Sequence, residues 1–309
     1  FDRAAAYFEQ AYAVFKAINN RRGMGFTINN LGGIHSVRGN YDEAHRMFAE
    51  GYALHKEIGD RSGTAHSLSA LANVAFFTGD VAGAEKNYQE ALAIRRNLGD
   101  QKGISDSLTD LADVAFARED VLGARQLYEQ SLEVSRAIGD QSGIARAMIW
   151  IGITIGIADQ DEAACRPYFE EGLALAEKVG NGAVMVMAYL GLGEVTFHTG
   201  KYAEARDYFR KALYLANYGK AVGMMLFSLI GFASVMVAEG NPIRSLEIAG
   251  LVQRYPRTAI NFMTDMKLKY LLDEVCPKLA DDVVLAALER GRELDLDETV
   301  NALLAESAA

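Results

Sequence analysis

The chain has 309 residues, of which half are hydrophobic and 23% are charged, and its formal net charge is −10. This composition is that of a folded protein and excludes a disordered or low-complexity chain. The acidic balance argues against a nucleic-acid contact surface, which needs clustered Lys and Arg on one face. Two cysteines, Cys165 and Cys276, make neither a disulfide framework nor a metal cluster, and they favour a reducing cytoplasm.

The sequence predicts neither a signal peptide nor a membrane span. The longest apolar stretch, residues 224–237, is interrupted by small and polar residues and falls short of the roughly 18 residues that cross a bilayer. Phe1 already belongs to a helical pattern. We therefore expect this chain to be part of a longer protein, with an effector domain upstream of Phe1.

A repeat of 40 residues organises most of the chain. The stretch 59–100 begins and ends with Gly-Asp, and it aligns with the sequence 40 residues before and after it. Each unit predicts two helices, for example about 23–37 and 41–58, with apolar residues at helical spacing. A period of this length indicates a stack of helix hairpins in which each repeat contacts its neighbours.

Gly and Asp or Asn separate the predicted helices, since Gly adopts the left-handed conformation after a helix and Asp or Asn caps the next one. The predicted hairpin turns are Gly39-Asn40, Gly79-Asp80, Glu119-Asp120, 159–161, Gly200-Lys201 and Gly240-Asn241. The predicted links between units are Asn19-Asn20, Gly59-Asp60, Gly99-Asp100, Gly139-Asp140, Gly180-Asn181 and Gly219-Lys220.

Both ends depart from the repeat. Residues 1–18 match the second half of a unit, which predicts an orphan helix without its hairpin partner. The fourth unit carries an extra residue within 159–162 and a proline, Pro167, in its second helix. A kink is expected at this proline unless the helix starts late. The period dissolves from about Arg254. We expect two domains, a solenoid over 1–255 and a helical cap over 256–309 that packs on it.

The unit resembles the tetratricopeptide repeat, in which small residues and aromatics recur at fixed spacing. The Gly-equivalent position of the pattern reads Gly32, Ala72, Ala112, Gly152, Gly193 and Ala233. The following small residues are Ala44, Ala84, Ala124, Cys165, Ala205 and Ser245, and the aromatics are Phe48, Tyr88, Tyr128, Phe169 and Phe209. The period is 40 instead of 34, and the family's Trp and closing Pro are absent. The resemblance implies an all-α, right-handed solenoid of about six helix pairs, with an orphan N-terminal helix and a helical C-terminal cap.

The tail over 289–306 is similar to the closing segment of the tetratricopeptide regions that follow an NTPase module in large bacterial LuxR-type, MalT-like regulators. This second resemblance implies a sensor or regulatory region of a bacterial signalling or transcriptional regulator. Such a region works by binding, because a solenoid changes its pitch when a ligand ties distant repeats together.

The resemblance places the first helix of each pair on the concave face, where a protein or peptide partner or a small polar ligand would bind. The candidate groove residues are Asn29, His66, Ser69, Asn73, Phe77, Thr109, Asp113, Arg146, Ile149, Ile153, Glu194, Phe197, His198 and Phe227. The first half of this set is polar and suits peptide backbone or ligand hydroxyls, while the second half is apolar and suits an anchor pocket. Only Arg146 fits a carboxylate clamp, which argues against a C-terminal carboxylate ligand.

Three classes of function remain open on the sequence. A ligand-sensing module leads, a constitutive assembly scaffold without a small ligand comes second, and an enzyme is third. The five histidines occur in no metal-ligand spacing, and the chain has no phosphate-binding loop, nucleophile elbow or dinucleotide-binding fingerprint. We expect no cofactor, no metal, no catalytic residue and no membrane or nucleic-acid partner.

Overall fold

The structure, a computed structural model, describes residues 2–255 and 262–306, and its ordered elements are helices. The first seven are α1 (Asp2–Ala17), α2 (Arg21–Val37), α3 (Tyr41–Glu57), α4 (Arg61–Phe77), α5 (Val81–Leu98), α6 (Gln101–Ala117) and α7 (Val121–Ile138). The next six are α8 (Gln141–Ala158), α9 (Glu162–Val179), α10 (Gly182–His198), α11 (Tyr202–Tyr218), α12 (Val222–Ala238) and α13 (Pro242–Gln253). The last three are α14 (Phe262–Val275), α15 (Asp281–Arg292) and α16 (Leu296–Glu306), with a 3₁₀ turn at Cys276–Lys278.

The Gly-Asp pairs end one helix and cap the next, as the sequence predicts. Gly99 ends α5 in the left-handed conformation, with φ of 69°, and the Asp100 carboxylate then accepts a hydrogen bond of 2.9 Å from the Gly103 N–H. The same cap recurs at the start of α4, α5 and α7. One link differs from expectation, because Lys220 and not Gly219 takes the positive φ, at 51°.

The chain divides into two compact units, and the first is Phe1–Gly139. In this unit α2, α4 and α6 each pair with the helix that follows, while α1 packs on α2. Fully buried alanines let the paired helices approach closely, and an aromatic ring one turn later fills the groove between them, as Ala84 and Tyr88 do in α5. α1 has no buried residue and keeps Tyr7 and Val14 exposed, as expected of a helix without its hairpin partner.

The second unit, Asp140–Ala309, contains the hairpins α8–α9, α10–α11 and α12–α13, followed by α14, α15 and α16. α9 runs through Pro167 as one helix. α15 packs on α13 with no room for a side chain at the contact, since a Cβ on Gly291 would lie 2.1 Å from the Glu247 carbonyl oxygen. α14 instead lies against α12. The core continues into these helices through Leu271, Val300 and Leu303.

The fold class expected from the sequence is confirmed as an all-helical tetratricopeptide-type solenoid with six helix pairs among the described residues. Residues 256–261, where the predicted cap begins, lie outside the described residues, and the domain boundary there stays a prediction. The expectation about apolar stretches needs a correction. α8, over Gln141–Ala158, is the one described helix long and apolar enough to cross a membrane, and more than half of it is buried in the protein. A core helix meets the same criterion because its apolar side chains face protein on most sides.

Candidate functional site

The outward face of each first helix can be read from burial. In α4 the exposed or half-buried side chains recur at His66, Ala70, Asn73 and Phe77, a spacing of three to four residues that defines one helix face. Asn73 and its equivalent Asp113 in α6 are not free, because each accepts a hydrogen bond from a tyrosine of the paired helix. Phe77 stacks on Tyr41, with ring centroids 6.1 Å apart.

Four predicted groove residues lie one position away from this face. Asn29, Ser69, Thr109 and Ile149 occupy equivalent positions, and each is at least 92% buried. The Asn29 amide donates a hydrogen bond of 2.8 Å to Ser67 Oγ on α4, so its contact is with the next hairpin. One residue turns a helix by about 100°, which moves these side chains from the outward face into helix packing. Their proposed part in ligand binding stays a prediction.

The second unit contains a groove of about 630 Å³ along the outward faces of α8, α10 and α12. Five predicted residues meet in its lining: Ile153, Glu194, Phe197, His198 and Phe227. Met187, Leu190 and Phe169 add to its apolar surface. Arg146 is half-buried at the other end of α8 and is not part of the lining. The volume is within the usual range of ligand sites, roughly 300–1,000 Å³.

α14 supplies the wall of this groove that the sequence did not reveal. Met263, Met266, Lys267, Tyr270 and Leu271 all line it. These residues follow the point where the 40-residue period dissolves, so the register of the repeat could not place them. Their spacing of three and four residues is the one available signal, since it puts them on one face of a helix.

One ion pair lies inside the groove. Lys267 Nζ contacts Glu194 Oε1, and 12% of the Lys267 side chain and 27% of the Glu194 side chain are exposed. The same Nζ stands 4.7 Å from the centroid of the Phe209 ring and 5.5 Å from that of Phe227, so two aromatic faces also stabilise the cation. Burial lowers the pKa of Lys267 to about 7.

Reactive chemistry has little support in this groove. Cys165 lines it, but its side chain is 2% exposed, and burial raises the pKa of the thiol to about 11. A thiol with such a pKa is a poor nucleophile near neutral pH. Within residues 2–255 and 262–306, no three His, Cys, Asp or Glu side chains are grouped so that they could hold a metal ion.

Helix hairpins stacked in register around a groove define the class of α-solenoid repeat proteins, which recognise partners through such surfaces. Sequence profiles of the tetratricopeptide repeat match residues 23–97, 63–137 and 165–220. Together these segments cover more than half of the chain. The chain therefore belongs to the tetratricopeptide repeat family. No curated protein sequence matches it well enough to count as a relative.

Solved structures share the fold at low sequence identity. A Rap protein complexed with competence and sporulation factor is 14% identical with a TM-score of 0.66, over 98% of this chain and 86% of that one. Aspartyl phosphate phosphatase F from Bacillus subtilis is 13% identical with a TM-score of 0.62, over 92% of this chain and 74% of that one.

A signal transduction ATPase with a tetratricopeptide repeat sensor, from Pyrococcus horikoshii, has a TM-score of 0.61 at 15% identity, over 96% of this chain. The match spans 45% of that longer protein. At the level of the fold, this likeness supports the resemblance to tetratricopeptide regions linked to an NTPase module.

Proposed function

We propose that this chain is a binding module whose second-unit groove takes a segment of a protein or peptide partner. The observation that carries the proposal is the groove itself, in which apolar side chains of three successive first helices surround one partly buried ion pair. Apolar lining supplies affinity, and a single polar pair inside it supplies orientation. Met187 adds a flexible side chain that adapts to a partner's shape.

We further propose that the module is the sensor region of a larger cytoplasmic bacterial regulator, with its effector domain upstream. Two structures of the same fold support this reading. One is the tetratricopeptide repeat sensor of the signal transduction ATPase from Pyrococcus horikoshii, and the other is the Rap protein complexed with competence and sporulation factor. Ligand binding across α8, α10 and α12 would bias how these repeats stack, and an attached domain would respond to that bias.

The test is a selection of displayed random peptides on the intact chain, followed by fluorescence anisotropy of the selected peptides. Phe197→Asp places a charge in the groove and should weaken binding at least ten-fold. Tyr218→Asp is the matched control, since Tyr218 is 85% exposed at the end of α11 and lies outside the groove lining. It should leave the affinity unchanged.

Two results would contradict the proposal. Selected peptides that bind the Phe197→Asp variant as tightly as the unchanged chain would place the binding surface elsewhere. Turnover of a substrate by the chain, lost on one substitution in the groove, would make the module an enzyme.

A further inference from the structure

α14 leaves the stacking order of the solenoid. From α9 to α13, each helix packs on the one that precedes it in the chain. After α13 the next helix in the stack is α15, which packs so closely that a Cβ on Gly250 would lie 2.3 Å from the Leu288 carbonyl oxygen. α14 is thus an insertion between stacked elements, and it lies on the groove side of α12. It is nevertheless packed into the core, through Leu271 and Val275.

The contacts of Lys267 define an ammonium site beside the groove wall. A carboxylate, Glu194, meets the ammonium group, and the faces of Phe209 and Phe227 lie within 5.5 Å of it. A carboxylate beside two aromatic faces is a binding site for an ammonium group. All three of these residues belong to α10, α11 and α12, so the site is built by the repeats and filled by α14.

Without α14, the groove lining carries negative charge, which is complementary to an ammonium group. Among the described lining residues outside α14, two carboxylates remain, those of Glu162 and Glu194, and there is no Lys or Arg. Around these carboxylates the wall is apolar, with Ile153, Met187 and Phe197. An occupant of this surface therefore needs apolar side chains and one cation between them.

We propose that α14 is an internal ligand, and that the groove binds an amphipathic helix of a partner protein that presents one lysine between apolar residues. The partner helix would take the position of α14, with its lysine on Glu194. This inference rests on the proposed function and adds the chemistry of the partner and the element that it displaces. α14 supplies the pattern of that helix, with Met263, Met266 and Leu271 around Lys267.

The experiment uses a labelled synthetic peptide of residues 262–275 and fluorescence anisotropy on the intact chain. In the unchanged chain the tethered α14 competes at an effective concentration on the order of millimolar, so added peptide binds weakly. Lys267→Glu in the chain opposes Glu194 with a like charge and should raise the affinity for the peptide at least ten-fold. Lys267→Ala should act in the same direction and serves if the glutamate variant does not fold.

Lys269→Glu is the matched control, because Lys269 carries the same charge on the exposed side of α14. This variant should bind the peptide as weakly as the unchanged chain. A peptide carrying Lys267→Glu should fail to bind the Lys267→Glu chain. A chain carrying both Lys267→Glu and Glu194→Lys should again bind the unchanged peptide only weakly.

Equal affinity of the Lys267→Glu and Lys269→Glu chains for the peptide would overturn the inference, as would equal binding of the two peptides to the Lys267→Glu chain. If these α14 tests fail but selected peptides bind the unchanged chain and not the Phe197→Asp variant, the proposed function stands and the proposed role of α14 is wrong. If neither the selected peptides nor the α14 peptide depends on the groove, both proposals fail.

Discussion

The close packing of α13 on α15 makes a sharp prediction at two glycines. A Cβ on Gly291 would lie 2.1 Å from the Glu247 carbonyl oxygen, and one on Gly250 would lie 2.3 Å from the Leu288 carbonyl oxygen. Both obstacles are backbone atoms, which cannot rotate away as a side chain can. Gly291→Ala or Gly250→Ala therefore forces the two helices apart by roughly 1 Å, given an ordinary contact distance of about 3.5 Å.

The expected cost follows from two opposing effects. Overpacking of this kind costs about 1–3 kcal/mol or more, because a separation of roughly 1 Å forfeits up to half of the dispersion energy of the contacts involved. The added methyl group returns about 1 kcal/mol through the higher helix propensity of alanine. We expect a net loss of about 1 kcal/mol, which in a unit of this size lowers Tm by roughly 2–4 °C.

Differential scanning calorimetry of the intact chain measures this loss. Gly156→Ala is the matched control, since Gly156 lies inside α8 in the same unit and its nearest neighbour to a new Cβ is Cys165 Sγ, at 4.0 Å. It should hold or raise Tm. A Gly291→Ala chain that melts no lower than the Gly156→Ala chain would refute the packing of α13 on α15 and, with it, the displaced position of α14.

Three further predictions concern caps, acid stability and thiol reactivity. Asp80→Ala should lower the free energy of unfolding, measured with urea, by about 1 kcal/mol, because Asp80 caps α5. Asn40→Ala should lower it by only about a few tenths of that, because Asn40 stands at a helix start without a side-chain cap bond. Equal losses in the two variants would contradict the capping role of Asp80. Burial acts to raise the pKa of Asp60, but the hydrogen bond from the Gly63 N–H and the neighbouring Arg22 and His55 side chains outweigh it and lower that pKa. The stability that Asp60 contributes is therefore present above about pH 4 and is lost as the pH falls through the pKa of Asp60 in the folded state. Below about pH 4, the Tm of the Asp60→Asn variant should change less with pH than the Tm of the unchanged chain. Cys165 should react with a thiol reagent only on unfolding and more slowly than the half-buried Cys276; equal rates in the folded chain would disprove its burial.

The fold could be predicted from sequence because its signals are local and repeated. Gly99-Asp100 specifies a left-handed helix end and a capped helix start, and the same pair recurs every 40 residues over much of the chain. The one shifted link, at Lys220, shows the limit of this reasoning. A lysine can take the positive φ when the surrounding hydrogen bonds close the turn, as the bond from its N–H to the Asn217 carbonyl does.

The candidate site could be predicted only in part. Ile153, Glu194 and Phe197 were placed in the groove by the repeat register, and the structure brings them together. Asn29 and Ser69 lie one position from the outward face. A periodic pattern cannot distinguish two adjacent helix positions when both of them tolerate polar residues. Lys267 was beyond reach because its partner lies 73 residues away and outside any repeat relationship.

Hydrogen–deuterium exchange of the intact chain, with and without a saturating selected peptide, tests most directly whether the groove is a binding site that α14 occupies. The amides of α14 should exchange faster in the complex because the partner helix replaces it, while α15 keeps its protection and the groove faces of α10 and α12 gain protection. Unchanged exchange in α14, with new protection confined to helices outside the groove, would contradict the account.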